Sequence, residues 1–188
     1  MNRLSLLVCC AALLIVLGCG ETSKNTDNRS NQPTNGDKGS AKTSQDYLND
    51  GNAAFSKKDY KSSIEPYRKA YDLEKADRKL EKKWWFILID NLSIAYGISG
   101  DITSSREVLE YGISKEPTYP LFYYNLADGY GEQNNEEAAL KNLRLAYKYK
   151  DNILEGEHIP EPTTDSSFKF LMKNDSFRKA VAEIKNGG

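Results

Sequence analysis

The chain has 188 residues, with 26 lysines and arginines against 27 aspartates and glutamates and a formal net charge of −1. Such a balance gives no electrostatic reason to expect nucleic acid or an anionic lipid surface as a partner. Two of its three cysteines, Cys9 and Cys10, lie in an apolar run near the N-terminus and the third is Cys19, so a chain that loses that run keeps one thiol and can form no internal disulfide.

The first element in chain order is that apolar run. Arg3 precedes a stretch from Leu4 to Leu17 in which only Ser5 is polar, and the stretch closes on Val16-Leu17-Gly18-Cys19. A span of this length is too short for a transmembrane helix, which needs about 20 apolar residues. The pattern resembles a bacterial lipoprotein signal, with Leu17 standing where a small or β-branched residue is more usual. The resemblance implies a leader over residues 1–18, cleavage before Cys19, and acylation of that thiol and of the new amino terminus. Several acyl chains on one residue hold a protein on a membrane, since each buried methylene contributes about 0.8 kcal/mol. The mature chain would keep 170 residues, enough for one domain with a real core.

Residues 19–43 follow as a tether. From Gly20 to Lys42 no aromatic residue occurs and alanine is rare, so the segment cannot bury enough surface to offset the entropy of ordering and is expected to be disordered. Its reach is roughly 25–30 Å.

From Ser44 to Asp151 the sequence repeats itself. Gly51, Ser93 and Ala127 lead three copies; Ala54, Tyr96 and Tyr130 come next, then the turn residues Asp59, Asp101 and Asn135. Ser63, Ser105 and Ala139 follow at constant spacing, then Tyr67, Leu109 and Leu143, then Ala70, Gly112 and Ala146. Copies two and three are 34 residues apart and copies one and two are 42 apart. A 34-residue period of this kind, with Pro117 closing the second copy, resembles the tetratricopeptide repeat, a helix–turn–helix unit. The resemblance implies an all-α fold of three stacked helix pairs, residues 44–77, 86–119 and 120–151, with the small residues where the helices of a pair touch.

Two departures carry expectations of their own. Eight extra residues, 78–85, fall between copies one and two, and Leu80, Trp84, Leu88 and Leu92 continue a stripe at spacing of four; the insertion is expected to lengthen helices by about two turns. Pro66 falls inside the second helix of copy one and should kink it unless the helix begins late. Of the adjacent Trp84 and Trp85, one is expected on the core stripe, and the other either partly exposed or buried against the first helix pair.

Residues 152–188 are expected to hold a loop around Pro160 and Pro162, then two short helices. Asp165 would cap one bearing Phe168, Leu171 and Met172, and Asp175 or Ser176 one bearing Phe177, Val181 and Ile184. They would close the apolar end that stacked repeats leave.

No catalytic set, cofactor motif or metal site is legible. The one histidine, His158, lies in a Glu-His-Ile-Pro loop without a second ligand. Binding is the better expectation, because stacked pairs present their first helices on a concave face. The family resemblance carries its groove positions onto Leu48, Asn52, Phe55, Asp90, Ile94, Tyr124 and Asp128. Asn52 and Asn91 stand where members that grip a partner's C-terminal carboxylate have asparagines, but Leu48, Leu121 and Asn125 replace the basic residues, so that grip should fail. Tyr124 is the expected half-exposed anchor. The resulting expectation is a non-catalytic scaffold for protein partners in envelope assembly or secretion, lipid-anchored to the outer membrane or the outer face of the cytoplasmic membrane. One alternative is a peptidoglycan- or carbohydrate-binding accessory factor; another is a groove filled by the protein's own tether or tail.

Overall fold

A computed structural model describes residues 41–187; Cys19, the leader and most of the tether lie outside them. The described residues are all-helical: α1 (Ser44–Phe55), α2 (Tyr60–Ala76), α3 (Lys82–Ile98), α4 (Ile102–Lys115), α5 (Pro120–Glu132), α6 (Glu136–Lys148) and α7 (Asp175–Lys185), with short 3-10 turns at 150–152, 166–168 and 171–173. No helix among them is long and apolar enough to cross a membrane.

One turn, used three times, sets the first six helices in pairs. The residues before the second helix of each pair, Lys58, Gly100 and Asn134, have φ of 62°, 87° and 55°. The next residue in each case reaches back to a carbonyl five positions earlier: Asp59 N–H to Ala54 at 3.1 Å, Asp101 to Tyr96 at 2.9 Å, Asn135 to Tyr130 at 2.9 Å. A left-handed residue with this back-bond ends one helix and satisfies its last carbonyls. The same three residues then start the following helix. Their side chains accept the N–H of Ser62, Ser104 and Ala138 at 3.1, 3.0 and 3.1 Å, which satisfies a donor that the first turn leaves without a partner. α1 has a reciprocal cap instead, in which Thr43 and Asp46 exchange side-chain to backbone bonds.

Within the array α1 packs on α2, α3 on α4 and α5 on α6, and each pair packs on the next through α2 with α3 and α4 with α5. Glycine permits the closest approaches. A Cβ on Gly51 would lie 2.3 Å from the Tyr67 ring, and one on Gly112 would lie 2.8 Å from Ile89 Cγ2 and 2.9 Å from Phe122. Ser93 and Ala127, at the register position of Gly51, are 1% and 0% exposed.

α2 and α3 have 17 residues each, against 14 in α4 and 13 in α5. The eight inserted residues thus lie in three extra positions of α2, four of α3 and one of the link between them. The extended ends are anchored by Glu74, which is buried and accepts from Ser44 Oγ and from the N–H groups of Lys79 and Leu80. They also carry an aromatic cluster. Trp85 is fully buried against Phe86 and Phe122, Phe86 stacks on Tyr119 with centroids 3.9 Å apart, and the Arg78 guanidinium lies 4.2 Å from the Trp85 ring. Trp84 is half-buried at its edge. α2 runs unbroken through Pro66. Ser63, Tyr67 and Ala70, buried on either side of the proline, hold the helix where one backbone bond is lost.

A second core, built on Tyr124, Ala127 and Leu143, is completed by the C-terminal segment through Phe168, Leu171, Phe177, Val181 and Ile184. Each such side chain contributes roughly 1.5–3 kcal/mol by leaving water. Two details differ from the sequence expectation. The first expected helix is a pair of 3-10 turns, whose three-residue period places Phe168 and Leu171 on one side. α7 is capped by Asn174, which accepts from Ser176 N–H at 3.0 Å, and not by Asp175 or Ser176.

Candidate functional site

Of the seven groove positions, Leu48, Tyr124 and Asp128 are buried and Asn52, Phe55, Asp90 and Ile94 are half-buried. Leu48 and Tyr124 are 0% exposed and Asp128 is 8% exposed, so the expectation that Tyr124 is a half-exposed anchor is overturned. Leu48 lies in the buried cluster that Tyr67, Leu88 and Leu92 form between the first two pairs. Phe55 packs edge-on against Tyr60 and Tyr67 at centroid distances of 5.0 and 6.1 Å. Asn52 accepts from the Tyr67 hydroxyl at 2.8 Å and from Asn91 Nδ2 at 3.4 Å, while Asn91 also donates to the Tyr67 hydroxyl at 3.1 Å. The two asparagines thus make a polar seam between the first two pairs.

The C-terminal segment covers Tyr124. Tyr124 donates its hydroxyl to Asp165 Oδ2 at 3.0 Å, and Asp165 Oδ1 accepts from Ser167 N–H at 3.0 Å. Phe168 packs edge-on against Tyr124. Gly131 allows this approach, since a Cβ there would lie 2.7 Å from both the Phe168 ring and the Ser167 carbonyl oxygen. Further along, Tyr119 donates to Glu157 at 2.6 Å and Asn125 Nδ2 donates to Asp90 Oδ1 at 2.8 Å. Burial, with the charge of Glu157 adding to it, holds the Asp90 carboxyl well above the usual carboxylate range. Burial likewise raises Tyr119, reinforced by Asp90 and Glu157. This is the tail-filled alternative, realised over the third pair.

One cleft, of about 280 Å³, opens at the turn end, between the second pair and α5. Ile94, Ile98, Ile102, Leu109, Leu126 and Tyr130 supply apolar lining. Its polar rim includes Arg106, Asp128, Glu132, Gln133 and Ser167. Arg106 lies 4.9 Å from the Tyr130 ring centroid and reaches Gln133 at 3.4 Å. Burial, and then the charge of Asp165, raise the carboxyl of Glu132. Of the sequence-derived positions only Ile94 and Asp128 reach this cleft. One signal for the rest was present in the repeat register: Ala53 and Ala95 correspond to Gly129, which leaves a methyl-sized gap on the cleft wall.

No group of three or more histidine, cysteine, aspartate or glutamate side chains that could hold a metal occurs among the described residues. His158 is exposed. Compared with protein-family models and with curated proteins, the chain matches neither.

Proposed function

We propose that this chain is a lipid-anchored, tetratricopeptide-like adaptor of the bacterial cell envelope, a non-catalytic scaffold for protein partners in envelope assembly or secretion. The observation that supports it most is the threefold turn at Lys58, Gly100 and Asn134 with its back-bonds and caps. One turn conformation repeated at the sequence period of 42 and 34 residues is what stacked helix–turn–helix units require, and such stacks serve as binding surfaces. The anchor follows from Val16-Leu17-Gly18-Cys19 at the end of the apolar run. The glycan-binding alternative relied on an aromatic and carboxylate groove; with Tyr124 buried, the half-buried Phe55 is the aromatic of that groove left to support it.

Two measurements test this reading. Mass spectrometry of the membrane-derived protein should find the mature chain starting at an acylated Cys19, and Cys19→Ala should release it from membranes. Cross-linking in intact membranes should then recover one reproducible protein partner. An unmodified N-terminus elsewhere overturns the anchor, and no reproducible partner overturns the scaffold.

A further inference from the structure

At the end of the array away from the turns, a concavity of about 600 Å³ opens where residues 42–45, leading into α1, meet the stretch 73–84 that joins α2 to α3. Leu73 and Trp84 line it. Leu73 is 43% exposed, one of two large apolar side chains so placed among the described residues, and Trp84 is half-buried. The charge of these two segments departs from that of the whole chain. Lys42, Lys75, Arg78, Lys79, Lys82 and Lys83 stand against Glu74, Asp77 and Glu81, six cations to three anions in a protein of net charge −1. All six cations are exposed, whereas Glu74 is buried and held by its hydrogen bonds. Asp50 and Glu116 reach in to pair with Lys42 and with Arg78 and Lys82, and with both of them counted the face is still positive. Lys83 lies over the Trp84 ring, 5.7 Å from its centroid.

The chain that runs back to Cys19 joins the domain at this same place, since Lys42 and Thr43 line the concavity. An anchor at Cys19 would therefore hold this end within a tether's reach of the bilayer, roughly 25–30 Å. Over that distance docking is intramolecular, at an effective concentration on the order of millimolar, so a weakly attractive face is enough to orient the domain. The side chains are those that suit the plane of a membrane surface. An indole sits at headgroup level, and a lysine lays its stem on apolar surface while its ammonium meets anionic headgroups. We infer that this end of the array rests on an anionic phospholipid bilayer, with Trp84 and Leu73 at the headgroup boundary and Lys79 and Lys83 against lipid phosphates. The inference rests on the lipid-anchored reading and adds an orientation to it: the turn-end cleft, at the other end of the helices, faces away from the membrane.

Cys19 makes the test clean, because it is the one thiol of a chain that starts there. The full chain from Cys19 to Gly188 is coupled through that thiol to maleimide-bearing phosphatidylethanolamine in vesicles, which supplies the tether geometry whether or not a cell acylates the residue. Quenching of tryptophan emission by phospholipids brominated on their acyl chains then reads contact with the bilayer. In vesicles of equal parts phosphatidylglycerol and phosphatidylcholine the emission should fall by at least one third, and in phosphatidylcholine alone it should hold. Trp84→Phe should remove the quenching, because Trp85 is fully buried. The exposed pair Lys79→Glu and Lys83→Glu should remove it together, and Leu73→Ser should at least halve it, with thermal midpoint and helix content unchanged. No quenching in the anionic vesicles, equal quenching in both lipids, or indifference to the charge reversals overturns the inference. Absent quenching, together with loss of a cross-linked protein partner on the same charge reversals, would assign the face to that protein instead. Mass spectrometry of the N-terminus judges the anchor separately: an unmodified start elsewhere removes the anchor, whatever the coupled vesicles show of the face.

Discussion

The hydroxyl of Tyr124 on α5 donates to Asp165 Oδ2 at 3.0 Å, across 41 positions of chain. With Phe168 edge-on to the same ring, this bond fastens the C-terminal segment over the first helix of the third pair. It also converts a residue that the repeat register assigns to recognition into one that works in the fold.

The first prediction follows from that contact. Tyr124→Phe should cost about 1.5–3 kcal/mol, the range for a hydrogen bond to a charged group, and Tyr124→Ala about 3–5 kcal/mol through the cavity it leaves. Hydrogen exchange should accelerate over residues 157–168 before the first two pairs respond. An unchanged unfolding midpoint for Tyr124→Ala would show that the segment is not docked on this ring.

Two glycines of similar helical setting should respond in opposite directions. Gly51→Ala places a Cβ 2.3 Å from the Tyr67 ring and should destabilise by at least about 1–3 kcal/mol. Gly129→Ala meets open space and should stabilise by roughly 0.5–1 kcal/mol. Chemical denaturation of the two variants compares them directly.

The three turns make a similar contrast. Lys58 takes a left-handed conformation at φ 62° without glycine's freedom, whereas Gly100 takes it at 87°. Lys58→Gly should stabilise and Gly100→Ala destabilise, each by about 1 kcal/mol. A fall in the midpoint of Lys58→Gly would contradict the turn.

Asp90 gives the domain a pH dependence of definite sign. Its folded-state proton affinity is raised, by burial first and by Glu157 second. Between the ordinary carboxylate range and the raised value the folded state therefore holds a proton that the unfolded chain has lost. Stability from this group is full below the unfolded pKa and falls as pH rises through the folded one. Asp46, Asp59, Asp101 and Glu161 are lowered by hydrogen bonds and act oppositely, their contributions being lost in stronger acid. Stability should thus peak in mild acid. A tenfold difference in proton affinity is about 1.4 kcal/mol, or roughly 3–6 °C in a domain of this size. Asp90→Asn, which can still accept from Asn125, should make the decline above mild acid shallower, leaving the part that the likewise raised Glu132 contributes. A variant with the parent's slope would place the titration elsewhere.

Much of the helical organisation was written in spacing. The 42- and 34-residue periods located all three turns, and the stripe of Leu80, Leu88 and Leu92 foretold that an insertion would lengthen α2 and α3. Those signals are local. Capping, φ preference and helical period act over a few residues, so each leaves its mark where it acts. The stripe was less exact at its tryptophans: it passes through Trp84, yet Trp85 is the residue fully buried, because adjacent helical positions point about 100° apart and the facing helices decide between them. The site was not legible for the same reason. Whether Tyr124 meets a partner or Asp165 depends on a segment some forty residues away, and no periodicity encodes where that segment crosses. The turn-end cleft is likewise a gap between α3, α4 and α5. The sequence by itself determined the helices and their pairing, because local propensity specifies them. Which faces remain open was decided only in the tertiary structure, by long-range packing of the C-terminal segment onto α5.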